Sequence, residues 1–148
     1  MKTTSNNQQV NATSVLLPYT LTLVVAMTAI QVLIALTGGV PTLLSGILTA
    51  VVAVGIAIWY WRHLPQISKI RFGGSMAHAI AFAIVTTSFN LHALIHVLVV
   101  GKAGGLEAAA SDLFSTPWFG TTLVMSSLWG LGLVLALLGG VLGRGWRD

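Results

Sequence analysis

The sequence contains no cysteine. Disulfides, thiolate metal sites, iron–sulfur clusters and c-type haem attachment are therefore excluded. Charge is also scarce. Asp, Glu, Lys and Arg make up 7% of the residues, where a soluble domain carries roughly 25%. The long apolar runs hold no acid, and no base other than histidine. Proton- and ion-coupled transporters bury such groups on their pathways, so a stand-alone channel or transporter is the weakest of three functional expectations. The sequence also shows no Ser-His-Asp set, no paired carboxylate and no phosphate-binding glycine loop. It therefore leans away from an enzyme.

What remains is hydrophobicity. Of the 148 residues, 55% are hydrophobic, and the mean hydropathy is +0.90. A spanning helix needs about 20 mostly apolar residues. The chain fits an all-α integral membrane protein with four transmembrane helices in an antiparallel bundle. The expected spans are 15–36, 42–61, 76–100 and 118–142, following a polar arm at 1–14. Lys2 is followed by a polar run through Ser14 and not by an apolar core, so the arm does not read as a signal peptide. Asn11-Ala12-Thr13 fits a glycosylation sequon, but the topology argued below places it in the cytoplasm. The net charge of +4 does not point to nucleic acid, because the basic residues are scattered at span ends.

Pro18 is expected in the first turn of the first span, where a missing amide is tolerated. Gln31 is that span's one strongly polar interior residue, and it should hydrogen-bond a neighbouring helix. The short turn Thr37-Gly38-Gly39-Val40-Pro41 makes the first two helices a hairpin. The second span presents a small face (Ser45, Gly46, Thr49, Ala53, Ala57) and ends in an aromatic belt, a charge and a helix stop at Pro65. Ser75 is the expected N-cap of the third span. Residues 106–114 should form a short surface helix in the outer third loop, with Glu107 and Asp112 on its polar side. Pro117 can open the fourth span. There Gly132, Ala136 and Gly140 form one small-residue ridge, and Ser126 and Gly130 another.

The segment Trp59-Tyr60-Trp61-Arg62-His63-Leu64 resembles the aromatic-Met-His-Leu ending found in the small fourth subunit of bacterial haem-copper oxidases. That family usually has three spans and a lysine inside the second. This chain has four spans and no such lysine, so the resemblance transfers no functional residue.

Across four spans, Lys2, Arg62, Lys69, Arg71, Arg144 and Arg147 fall on one side. Lys102 falls on the other, with Glu107 and Asp112. Basic residues accumulate in the cytoplasm. Both termini and the second loop should therefore be cytoplasmic, in a prokaryotic inner membrane.

The histidines carry the only hint of chemistry. Three of four lie in the third span: His78, His92 and His96. At about 100° per residue, His78 and His96 share one line and His92 sits about 40° to the side. Intramembrane histidines are functional candidates by default. His78 and His92 are separated by about 21 Å along the axis. This resembles the spacing in membrane b-type cytochromes, where one helix holds two stacked haems. Those proteins need a second histidine pair on a facing helix. Here His63 can partner His78, while His92 needs a ligand from a homodimer or another subunit. His92 and His96, one turn apart, can share a metal, with Glu107 or Asp112 reaching in from the loop.

Two readings lead. In the first, the chain is a small non-catalytic accessory subunit of a larger membrane complex, energy-transducing in the electron-transfer or photosynthetic sense, held by helix packing to other membrane subunits. In the second, it is a membrane protein that binds haem b or a chlorophyll-type pigment through His78 or His92.

Overall fold

A computed structural model of the chain describes residues 11–143. Lys2, Arg144, Arg147 and most of the polar arm lie outside the described residues. Four helices follow one another: α1 (Ala12–Leu36), α2 (Leu43–Ile67), α3 (Gly73–Ser115) and α4 (Pro117–Leu142). There is no strand among the described residues. All four helices are long and apolar enough to cross a membrane. The shortest, at 25 residues, rises about 38 Å, more than a hydrocarbon core of about 30 Å.

Local chemistry sets the helix ends. Asn11 accepts the Thr13 amide at 3.0 Å and caps α1. The helix thus starts earlier than the apolar run, and Pro18 falls in its second turn, not its first. At the start of α2, the Ser45 hydroxyl accepts the Thr42 amide at 3.0 Å and donates to the Thr42 carbonyl at 2.7 Å. Pro65 does not stop this helix, which runs on to Ile67. A proline this close to the carboxyl end removes one helical bond and leaves little helix beyond it to disrupt.

The α2–α3 turn is made by Phe72, in the left-handed region at φ 62, and by the glycine after it. A Cβ on Gly73 would lie 2.5 Å from the Ile67 carbonyl oxygen, so only glycine fits. Ser75 is not the cap expected from sequence. Its hydroxyl crosses to α4 and donates to the Ala136 carbonyl at 3.1 Å. Gly140 of the same ridge lies beneath it, and a Cβ there would meet Ser75 Oγ at 2.8 Å.

The largest departure from expectation lies near the other end of α3. Gly105 breaks the helix at φ 82, ψ 178. Sixteen residues of continuous helix would separate His96 and Asp112 by about 24 Å. Instead their side chains are 2.7 Å apart. The chain therefore reverses at Gly105, and residues 106–115 fold back along α3. Ala109 is buried there, and a Cβ on Gly101 would lie 3.6 Å from its own. The segment is helical as expected. It docks through Ala109 and Asp112, however, while Leu106 and Phe114 face outward.

Helix α3 is the hub and packs against the other three. Leu16, Tyr19 and Leu23 of α1 meet Ala77 and Ala81 of α3. Further along both chains, Met27, Ile30 and Ile34 meet Val85, Phe89 and Ala93, so α1 and α3 run in the same direction. Tyr19 stacks on Trp59 of α2 at 4.1 Å and donates its hydroxyl to the Ala77 carbonyl at 3.1 Å. Trp118 closes the second cluster and is the only buried residue of α4.

Candidate functional site

The fold sorts the four histidines into two stations at opposite ends of α3. At the first, His63 and His78 each place Nδ1 2.9 Å from the carbonyl one turn earlier, Trp59 and Gly74 respectively. A carbonyl can only accept, so Nδ1–H donates in both rings, and in a neutral ring so held Nε2 is the nitrogen that carries the lone pair. That tautomer is the one a metal or haem ligand requires.

No hydrogen bond or ring contact joins these two histidines. His63 stacks on Trp59 at 4.8 Å, which stacks in turn on Tyr19. His78 meets the edge of Tyr60 at 5.4 Å. Trp59 and Tyr60 are successive residues, so they leave α2 about 100° apart. His63 joins the stack toward α1. His78 lines a cleft between the α2–α3 turn and α4, and His63 is not part of that cleft.

The second station is a knot of polar contacts around Trp118. This indole is fully buried, and its N–H donates to the Gly39 carbonyl in the α1–α2 turn at 3.0 Å. The His92 ring lies 4.7 Å from it and the His96 ring 6.0 Å. His92 Nδ1–H donates to Gln31 Oε1 at 2.8 Å. The Gln31 amide then donates to Ser88 Oγ at 3.3 Å, and that hydroxyl donates to the Val85 carbonyl at 2.8 Å. His96 Nε2 faces Asp112 Oδ2 at 2.7 Å. Gln31 thus meets the neighbouring helix expected of it, and its partner is a histidine.

The arrangement commits one nitrogen of each ring to a partner. His92 Nε2 and His96 Nδ1 remain for other work, but the two rings answer to different partners. No group of three or more His, Cys, Asp or Glu residues among the described residues is placed to hold a metal ion. Asp112 does reach His96, but as its hydrogen-bond acceptor. Trp118 is the residue around which the station is built.

Gln31→Leu should remove both interhelical bonds while keeping the bulk. Hydrogen bonds between membrane helices average about 0.6 kcal/mol and reach about 1.7 kcal/mol. A loss in that range is expected from denaturation in detergent, with measurable coupling to His92→Leu. Additive single effects would show that the two side chains act independently.

No protein-family model, characterised protein or solved structure matches the chain.

Proposed function

We propose that the chain is a non-catalytic subunit of a larger membrane-embedded complex of the energy-transducing kind. We further propose that it lies in a prokaryotic inner membrane with both termini cytoplasmic. One observation carries the subunit reading. Several glycines of α2 and α4 face space that the chain's own side chains leave unfilled. A Cβ on Gly46, Gly55, Gly120, Gly132 or Gly139 would meet nothing within 4 Å. Small residues in a spanning helix allow close backbone approach by another helix, and here their own bundle leaves them open. The orientation rests on charge. Arg62, Lys69 and Arg71 gather at the end of the α2–α3 turn, whereas Glu107 and Asp112 accompany Lys102 at the other.

Extraction in mild detergent tests this reading. The chain should co-purify with other membrane subunits. Gly46→Leu and Gly132→Leu should release it while leaving its helix content and melting behaviour unchanged. A chain that runs only as a monomer from native membranes would sink the proposal.

The histidine tautomers favour a second reading, ligation of haem b or a chlorophyll-type pigment. His63, His78 and His92 each hold Nδ1 in a hydrogen bond and keep Nε2 for a metal. Purified chain with a Soret band that vanishes in His78→Ala or His92→Ala would support it. A colourless, well-folded chain would eliminate it.

A further inference from the structure

We propose that the cleft between the α2–α3 turn and the carboxyl-terminal half of α4 binds the phosphate headgroup of an anionic phospholipid. This inference rests on the membrane reading above. The cleft has a volume of about 840 Å³ and is lined by Lys69, Arg71, Tyr60 and His78 on one side and by Gly132 and Gly139 on the other. No carboxylate lines it. The described acids, Glu107 and Asp112, sit at the other end of α3, and the one ion pair among the described residues is His96 with Asp112. Lys69 and Arg71 therefore have no counter-ion among the described residues.

Hydrogen-bonding groups accompany the two cations. The Tyr60 hydroxyl lies against the first turn of α3, where a Cβ on Gly74 would sit only 2.8 Å from it. No hydrogen bond to that hydroxyl forms among the described residues, so it is a donor in want of an acceptor. The first turn of α3 has no side-chain cap; the Gly73 amide is taken by the Ile70 carbonyl at 3.0 Å, and the amides that follow point out of the helix end. The carboxyl ends of α2 and α4 also border the cleft and oppose an anion. A helix end contributes only about half a charge. Two full side-chain charges with the α3 end outweigh two such ends.

The rest of the wall says what the anion is attached to. Leu135 continues the lining along α4 beside the flat glycines. A hydrated phosphate ion gains nothing from such a surface. A phospholipid would lay an acyl chain over it, with its phosphate at Lys69 and Arg71. This also gives the outward glycine at position 139 a use within this chain's own surroundings.

The test is native mass spectrometry of the full chain in detergent, with phosphatidylglycerol or phosphatidylcholine added. Phosphatidylglycerol should be retained selectively. The double variant Lys69→Ala/Arg71→Ala should weaken it about thirtyfold, since each basic residue near an anionic headgroup contributes a step of about five- to sixfold. Lys102→Ala, at the opposite end of the helix bundle, should leave retention unchanged. Gly139→Leu should abolish retention by filling the cleft, because its side chain meets nothing of the fold within 4 Å. Equal retention of both lipids, or a preference that survives the double variant, overturns the site. Displacement by millimolar inorganic phosphate would identify a soluble anion as the ligand and overturn the lipid assignment. A carbonate wash separates the two levels of the argument. A chain washed off membranes refutes the membrane reading. One that stays but shows no lipid preference refutes the site alone.

Discussion

Alanine in place of Trp118 is expected to lower the unfolding free energy by about 3–5 kcal/mol, the range for removing a large aromatic from a packed core. No other side chain of α4 is buried, so this indole is the anchor that holds the start of α4 to the rest of the chain. It packs with Met27, Ile30 and Ile34 of α1 and with Val85, Phe89 and Ala93 of α3. It also ties down the α1–α2 turn through Gly39. Trp118→Phe separates packing from hydrogen bonding. Phenylalanine keeps most of the ring contact and loses the N–H, so about 1 kcal/mol should disappear. Both losses can be read from denaturant titrations in detergent. An alanine variant that loses less than the phenylalanine range would show that α4 is held elsewhere.

The same substitution reports on the histidines. His92 and His96 both lie against the indole, and each is held from another side, by Gln31 and Asp112. Removing Trp118 takes away the surface that aligns both rings. If His92 ligates a pigment, its absorption should broaden or shift in Trp118→Ala before His92 itself is touched. The two histidine stations are thus built differently. The one at His78 lines an open cleft beside Lys69 and Arg71, which have no counter-ion among the described residues, while the one at His92 is a cross-linked knot among helices.

Much of this was legible in the residues. Long apolar runs with almost no charge give four helices of membrane-spanning length, because period and hydropathy act locally. Gln31 declared itself for the same reason, since a lone amide in an apolar helix must find a partner. What the sequence hid was tertiary. Ser75 has the chemistry of an N-cap and sits where one belongs, yet Phe72 takes the capping position and frees Ser75 to reach Ala136. Pro65 carries the signal of a helix stop, which a position in the last turn defeats. His63 and His78 share an end of the molecule, but rotation about α2 sends them to different neighbours. Asp112 and His96 are sixteen residues apart, and no periodicity links them. Their only signal was Gly104-Gly105, a break inside an otherwise helical stretch.

That break supplies the second large effect. Gly105 adopts φ 82 with ψ 178, a region essentially closed to residues with a Cβ. Gly105→Ala must either bear about 1–3 kcal/mol of backbone strain or straighten the reversal, and the two outcomes can be told apart. The chain has no cysteine, so a designed pair reports without background. A Cβ at position 101 would lie 3.6 Å from that of Ala109, within the 3.5–4.5 Å that a disulfide spans. Gly101→Cys/Ala109→Cys should therefore cross-link under mild oxidation. If strain is borne, the cross-link still forms and the loss appears as stability alone. If the reversal opens, the cross-link yield falls. His96→Ala then costs nothing further, because Asp112 has already been carried out of reach. Either result follows from a glycine-only hinge, whereas an alanine variant with full stability and full cross-linking would refute one. The choice between them also bears on function, since opening the hinge releases His96 from its carboxylate and leaves both its nitrogens open to a partner subunit or a cofactor.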